Sequence, residues 1–231
     1  MKKNVTIRNH TCVIDGRERI LISADYPYYR DHVDLWDTKL AALKCLGIDA
    51  VTFYVPWRHH GYLDRGRQVF DFTGQTLPNR NVRLFLELVT KNRLRAVVKP
   101  GPFIHAETDR GGFADWAVPG QPSSRCEAEL DYRNQPRKWF TGDICPSPTG
   151  KTFLGLVAEW FRAVDRHLIR GNTYPRGPVI GVQIANEGLY TDAGAEPHAF
   201  DFSASSLALY RDYCRELYST IAEYNRLHAT R

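Results

Sequence analysis

Methionine occurs once and paired-cysteine motifs do not occur at all. The five cysteines, Cys12, Cys45, Cys126, Cys145 and Cys214, are widely spaced and include no CxxC. An odd count without a secretory leader argues for free thiols in a reducing compartment. Cys126 and Cys145 could meet within one loop, but nothing in the sequence requires it. The two lysines after Met1 are not followed by the apolar run of a signal peptide, so a cytoplasmic location is expected. No stretch reaches the length of a membrane-spanning helix, and no membrane partner is expected. HExxH and cysteine-pair spacings are missing, and adjacent His59 and His60 would point to opposite faces of a strand. Neither a metal nor another cofactor is expected. The formal net charge is +5, but its basic residues are scattered. Arg162, Arg166 and Arg170 form an i, i+4 row that reads as a solvated helix face, with no nucleic-acid motif beside it, so no nucleic-acid partner is expected.

The 231 residues, 43% hydrophobic and 12% aromatic, suffice for one sizeable globular domain with a real core. Residues 4–22 read as short strands around a turn at Asp15-Gly16, with Arg19–Ala24 as the first barrel strand. Helices are expected at His32–Leu46, Asn81–Arg93, Phe153–Ile169 and Ser203–Tyr218, each with an apolar face at three- and four-residue spacing, and a second, shorter helix follows at Thr220–Leu227. In the first helix that face is Val33, Trp36, Leu40, Leu43 and Leu46, with Asp31 or Asp34 as its cap and Gly47 as its stop. Asp31, Asp34 and Asp37 read as helix-start acids rather than as a ligand cluster. Between the helices lie apolar strands at Ile48–Val55 and Leu94–Lys99, the second broken by Pro100-Gly101-Pro102. A long irregular connection runs from Gly111 to about Thr149, a length often reserved for function.

The central stretch is Pro178 to Gly188. Val179, Ile180, Val182 and Ile184 form an almost continuous apolar run, the pattern of a parallel strand buried on both faces. Asn186 and Glu187 end it. Strands alternating with helices imply a parallel sheet with right-handed crossovers, in an α/β chain of (β/α)8 TIM-barrel type. The fourth strand ends near residue 187 of 231, whereas an eight-unit barrel takes about 250 residues. The chain is therefore expected to be either a small open sheet or the first four βα units of a barrel. Residues 1–231 would then be a single, incomplete domain lacking strands five to eight.

Polar residues stand at three strand ends: Tyr54 with Trp57, Ala106 with Glu107, and Asn186 with Glu187. In a parallel barrel these would converge on one mouth. Two carboxylates flanked by Tyr, Trp and Asn suit a sugar, because aromatic faces stack on pyranose C–H groups and carboxylates bind hydroxyls. Glycoside hydrolysis uses one protonated acid for the leaving oxygen and a second carboxylate as nucleophile or base. Taken singly, each residue has a plainer role. Glu187 could cap the next segment or pair with a surface arginine, Trp57 could be core, and Glu107 could pair with Arg110.

The stretches LAALKCLGIDAVTFYVPWRHHG, VFDFTG, KPGPFIHAETDRGGFADW and GPVIGVQIANEG, in this order, resemble the catalytic barrel of the glycoside hydrolase family 35 β-galactosidases. Together they cover most of residues 20–190. The tail RELYSTIAEYNRLHATR bears a weaker similarity to a helix-turn-helix segment of related galactosidases. The resemblance implies a retaining glycosidase acting on terminal β-galactosides, with Glu187 as general acid/base and Asn186 holding the sugar 2-hydroxyl. It also implies that Tyr54, Ala106 and Glu107 contact the ring, while Trp57 is given no sugar contact. The family usually has Cys-Ala-Glu-Trp where this chain has His105-Ala106-Glu107-Thr108, and Asn-Glu-Tyr where it has Asn186-Glu187-Gly188. The first departure bears on sugar specificity.

The family's nucleophile is a Glu on strand seven. The only later glutamates, Glu196, Glu216 and Glu223, fall in a loop and on helices, so the isolated chain is expected to have little or no hydrolase activity. Two other readings stay open. One is a retaining glycosidase of another sugar specificity. The other is a non-catalytic sugar-binding or structural half-barrel, whose open sheet edges leave room for self-association.

Overall fold

The structure, a computed structural model, describes residues 4–105, 108–139, 141–186 and 199–228. In chain order, β1 (Val5–Arg8), β2 (Thr11–Ile14) and β3 (Arg17–Arg19) form an antiparallel meander. Its second turn is at Asp15 and Gly16, with φ of 51° and 76°. Then come β4 (Ser23–Asp25), α1 (Val33–Cys45), β5 (Ala50–Tyr54) and the single helical turn α2 (Trp57–His60). The hairpin β6 (Gly61–Asp64) and β7 (Arg67–Phe70) precedes α3 (Val82–Lys91) and β8 (Arg95–Gly101). Last are α4 (Lys151–Val164), β9 (Val179–Ile184), α5 (Ala204–Leu217) and α6 (Ile221–His228). The chain forms two compact units, Met1–Ala114 with Glu159–Tyr190, and Asp115–Ala158 with Thr191–Arg231.

The first unit holds the expected parallel sheet, in the order β4-β5-β8-β9. Register pairs Asp25 with Thr52 and Tyr54 with Lys99. Paired residues of parallel strands share a face, and alternation then sorts the rest. Val51, Phe53, Ala96 and Val98 are fully buried on one face. There Tyr28, Trp36 and Phe85 close around Phe53, with ring centroids 5.7 Å (Tyr28–Phe53), 5.1 Å (Phe53–Phe85) and 5.4 Å (Trp36–Phe85) apart. Thr52, Tyr54, Val97 and Lys99 line the other face and are only half-buried.

That asymmetry corrects the reading of β9 as buried on both sides. Val179 is buried, but Val182 is 43% and Ile184 62% exposed. The reason is position: among the described strands β9 is an edge with β8 as its one partner, so only one flank is covered.

The expected helices form, with ends set by local chemistry. After α1, Gly47 takes φ of 84°. Its N–H donates to the Lys44 carbonyl at 3.1 Å, and that of Ile48 to the Leu43 carbonyl at 3.2 Å. This is a Schellman closure, which needs the left-handed region that glycine occupies freely. It carries Leu46 off the buried face, so Leu46 is 78% exposed while Trp36 and Leu40 are buried. Neither Asp31 nor Asp34 caps α1; the N-cap is His32, without a side-chain bond. Asp31 instead accepts from Tyr26 Oη and Lys39 Nζ, both at 2.7 Å. The expected helix over Phe153–Ile169 is α-helical to Val164 and then widens into a π turn, where Arg170 N donates to Asp165 O at 2.9 Å. His59 and His60 lie on the helical turn α2, not on a strand.

In the second unit the long connection is tied by isolated antiparallel bridges at Ala128–Pro146, Leu130–Pro136 and Lys138–Ile144. Asp201 gathers Ser147 Oγ, Ser203 N and Ser206 Oγ at 2.6–2.8 Å. α5 buries none of its residues, contrary to the face expected from Leu207, Tyr210, Cys214 and Leu217. Tyr210 and Leu217 are each 53% exposed.

Candidate functional site

β5, β8 and β9 deliver their carboxyl ends to one side of the sheet because parallel strands run the same way. Tyr54, the last residue of β5, donates from Oη to Asn186 Oδ1 at 2.8 Å, across 132 positions of sequence. Gln183 Nε2 also approaches that oxygen, at 3.4 Å, and donates to Ala185 O at 3.2 Å. Two donors on one atom settle which end of the Asn186 amide is oxygen. Its Nδ2 is then the other end of the amide, and Asn186 is 9% exposed.

Asn186 and Tyr54 line a cleft of about 410 Å3 together with Asp25, Tyr29, Arg30 and His105. Asp25, in its lining, belongs to a charge pair. Lys99 Nζ sits 4.7 Å above the Tyr54 ring and 2.9 Å from Asp25 Oδ1. Thr52 Oγ1 hydrogen-bonds the same carboxylate oxygen. Burial alone would raise the Asp25 pKa. The bonds from Thr52 and Lys99 and the Lys99 charge outweigh it and hold the carboxyl below its usual range. Asp25 therefore stays an anion at neutral pH. It neutralises Lys99, whose side chain is only 12% exposed.

Of the residues expected at the site, the structure brings Tyr54 and Asn186 together. Ala106, Glu107 and Glu187 lie outside the described residues, as does Glu196. Glu216 and Glu223 are on α5 and α6. Trp57 is fully buried and stacked on Trp160 at 6.2 Å, so it is core, in keeping with giving it no sugar contact. Sequence reasoning passed over Asp25, Lys99 and Gln183. The signal that singled out Tyr54, a polar residue at the end of a buried strand, applied equally to Asp25 and Lys99.

The model of glycosyl hydrolases family 35 matches residues 11–146. The chain belongs to that family. It is 29% identical over 94% of its length to a β-1,2-glucosyltransferase of Ignavibacterium album, covering 29% of that protein. It is 30% identical over 83% of its length to an exo-β-D-glucosaminidase of Thermococcus kodakarensis, covering 23% of it. It is also 30% identical over 54% of its length to the mouse β-galactosidase, covering 18% of it. The chain thus spans less than a third of the length of each of these relatives. Among solved structures, the β-galactosidase of the psychrophilic Marinomonas ef1 superposes with a TM-score of 0.52 at 16% identity, over 90% of this chain and 27% of that one. This likeness concerns the fold, α/β with a parallel sheet, as in the TIM-barrel glycoside hydrolases. Among the described residues no helix is long and apolar enough to cross a membrane.

Proposed function

We propose that this chain supplies the first four βα units of the catalytic barrel of a retaining glycoside hydrolase acting on terminal β-galactosides, and that residues 1–231 belong to that one domain. The observation that carries the reading is the Tyr54–Asn186 bond, which sets a sugar-sized polar cleft at the ends of the strands. Family membership supports the chemistry. Glu187, next to Asn186, donates its proton to the glycosidic oxygen as a carboxylate from the barrel's later strands attacks C1 and the C1–O bond breaks. Water then attacks C1 of the glycosyl-enzyme, Glu187 takes the water's proton, and the nucleophilic carboxylate departs. Asn186 holds the 2-hydroxyl through Nδ2. Ala106 and Glu107 complete the sugar wall, and Tyr54 acts mainly by orienting Asn186.

A second reading changes only the sugar. Relatives that align along most of this chain are named for glucosyl transfer and glucosamine release, and His105 lines the cleft where the β-galactosidase motif has Cys. Rates on aryl β-galactoside, β-glucoside and β-glucosaminide with a protein containing all eight strands decide between them. The 231-residue chain alone is expected to bind the preferred sugar without turning it over. Turnover by the chain alone that disappears in Glu187→Gln would overturn the need for a second carboxylate. The edges β4 and β9 suit self-association of the isolated chain; a clean monomer by sedimentation at high concentration counts against it. Five free cysteines fit a cytoplasmic location.

A further inference from the structure

Asp25 closes β4, the first strand of the parallel sheet, and lines the cleft together with Thr52, Tyr54 and Asn186. Its place there follows from register. Asp25 pairs with Thr52 of β5, and Tyr54, two residues further on, pairs with Lys99 of β8. Paired residues of parallel strands share a face, and alternation puts Thr52 and Tyr54 on the same one. All four side chains therefore belong to the less buried face of the sheet, and the Asp25 carboxylate comes within reach of both Thr52 and Lys99.

Both bonds that this carboxylate accepts fall on one oxygen. Thr52 Oγ1 and Lys99 Nζ each donate to Oδ1. Among the described residues no donor bonds Oδ2. The two members of the charge pair are also unequally exposed, 12% for the Lys99 side chain and 66% for that of Asp25. A carboxylate present only to neutralise a largely buried lysine would be drawn in with it, both oxygens engaged. Here one oxygen completes the pair, and the other belongs to an exposed group in the wall of the cleft. An ionised carboxylate only accepts, at about four lone-pair sites. Asp25 is ionised at neutral pH, yet the adjacent Lys99 charge offsets its own. What it offers a ligand is an acceptor for a neutral donor, such as a sugar hydroxyl, rather than an unpaired charge for a cation.

We propose that Asp25 is a further substrate-binding residue of the cleft, whose Oδ2 accepts a hydroxyl of the saccharide held beside Tyr54 and Asn186. The substrate class is then a neutral sugar with a free hydroxyl at that position, and removal of that hydroxyl is penalised. The assignment rests on the glycosidase reading above and deepens it, because it names a residue that selects among sugars.

The test titrates the 231-residue chain with methyl β-galactoside, methyl β-glucoside and the monodeoxy analogues of each, followed by amide chemical shifts. Asp25→Asn keeps the shape of the side chain. Its amide oxygen can retain Thr52 and Lys99, which sets an N–H donor where Oδ2 accepted. The variant should bind the preferred glycoside about tenfold more weakly, as expected for one charge-assisted bond. The analogue lacking the bonded hydroxyl should already bind wild type about tenfold more weakly, and the substitution should cost it nothing further. Asp25→Ala should show the same pattern, with melting temperatures confirming that both variants fold. If Asp25 only supports the fold, every analogue instead loses the same factor in the variants. That result, or unchanged affinity for the parent glycoside in the folded variants, overturns the assignment and leaves the sugar site standing. A wild type indifferent to every deoxygenation overturns it without recourse to a variant. No binding of either glycoside by the folded wild type overturns the sugar reading, and the assignment with it. Methyl β-glucosaminide with its amine protonated tests the neutral class. Affinity about tenfold above that for the glucoside, lost in Asp25→Asn, makes Asp25 a counter-ion and overturns the assignment of a hydroxyl.

Discussion

His60 should make the stability of the first unit fall steeply with acid well before its carboxylates titrate. Its ring is fully buried, with Nδ1 2.6 Å from Asp71 O and Nε2 2.6 Å from Tyr28 Oη. A carbonyl only accepts, so Nδ1 carries the hydrogen and Nε2 accepts from the tyrosine hydroxyl. A second proton would break the Tyr28 bond and place a charge in the core. Burial, with a smaller effect from His59, pushes the pKa down to about 3. The unfolded chain therefore binds the proton more readily, since a free histidine titrates near about 6.5. Stability from this group is complete above that value and is lost as pH falls from about 6.5 toward 3. Between pH 7 and pH 5 the loss is about 2 kcal/mol, which moves a urea midpoint by about 1 M at a slope of about 2 kcal/mol per M.

The assay is urea unfolding across pH 5–7, followed by the fluorescence of the stacked Trp57 and Trp160, compared with His60→Gln. The variant begins less stable but lacks the titrating ring, so its midpoint should change less over this range. Glu129 acts in the opposite direction. Burial outweighs its pair with Arg137 and raises it to about 7, so its contribution is present at low pH and is lost as pH rises through the 4.5–7 window. That contribution is common to both proteins and cancels in the difference. Parallel pH profiles for wild type and variant would refute the reasoning. Tyr28 directly precedes Tyr29 and Arg30, which line the cleft.

Tyr54→Phe removes the stronger donor to Asn186 and leaves the 3.4 Å contact from Gln183; sugar affinity, read by chemical-shift titration, should fall roughly fivefold for one lost hydrogen bond of about 1 kcal/mol. Lys99→Met removes the cation at 2.9 Å from Asp25, so the Asp25 titration, followed by carboxyl carbon shifts, should move to higher pH. Trp160→Ala deletes a fully buried ring and its 2.7 Å bond to Pro100 O, and denaturant unfolding should show a loss of about 3–5 kcal/mol. Gly47→Ala meets no neighbouring atom but must adopt φ of 84°, and the same assay should show a loss of about 1 kcal/mol.

Much of the parallel sheet was legible because it is written in local pattern. Apolar runs at Ile48–Val55 and Leu94–Lys99 and helical spacing around Trp36 and Phe85 suffice to name the elements, and strand-helix alternation implies a parallel sheet. Polar residues at strand ends singled out Tyr54 and Asn186, which the fold brings together. Patterns failed where exposure depends on what lies alongside. The apolar run of β9 reads as fully buried, yet an edge strand leaves Ile184 bare. The spacing of Leu207 and Tyr210 promises a buried face that α5 does not have. Adjacent histidines read as strand neighbours because a single helical turn is too short to impose a period.

The sequence by itself determined the order of elements, the parallel sense of the main sheet and the family, since each depends on spacing along the chain and on motifs in a set order. Only the tertiary structure decided that Tyr54 orients Asn186 and that Lys99 joins Asp25. Those partners lie tens to more than a hundred residues apart. What brings them within hydrogen-bonding or Coulombic reach is strand register and the closure of connecting loops, which no local pattern encodes.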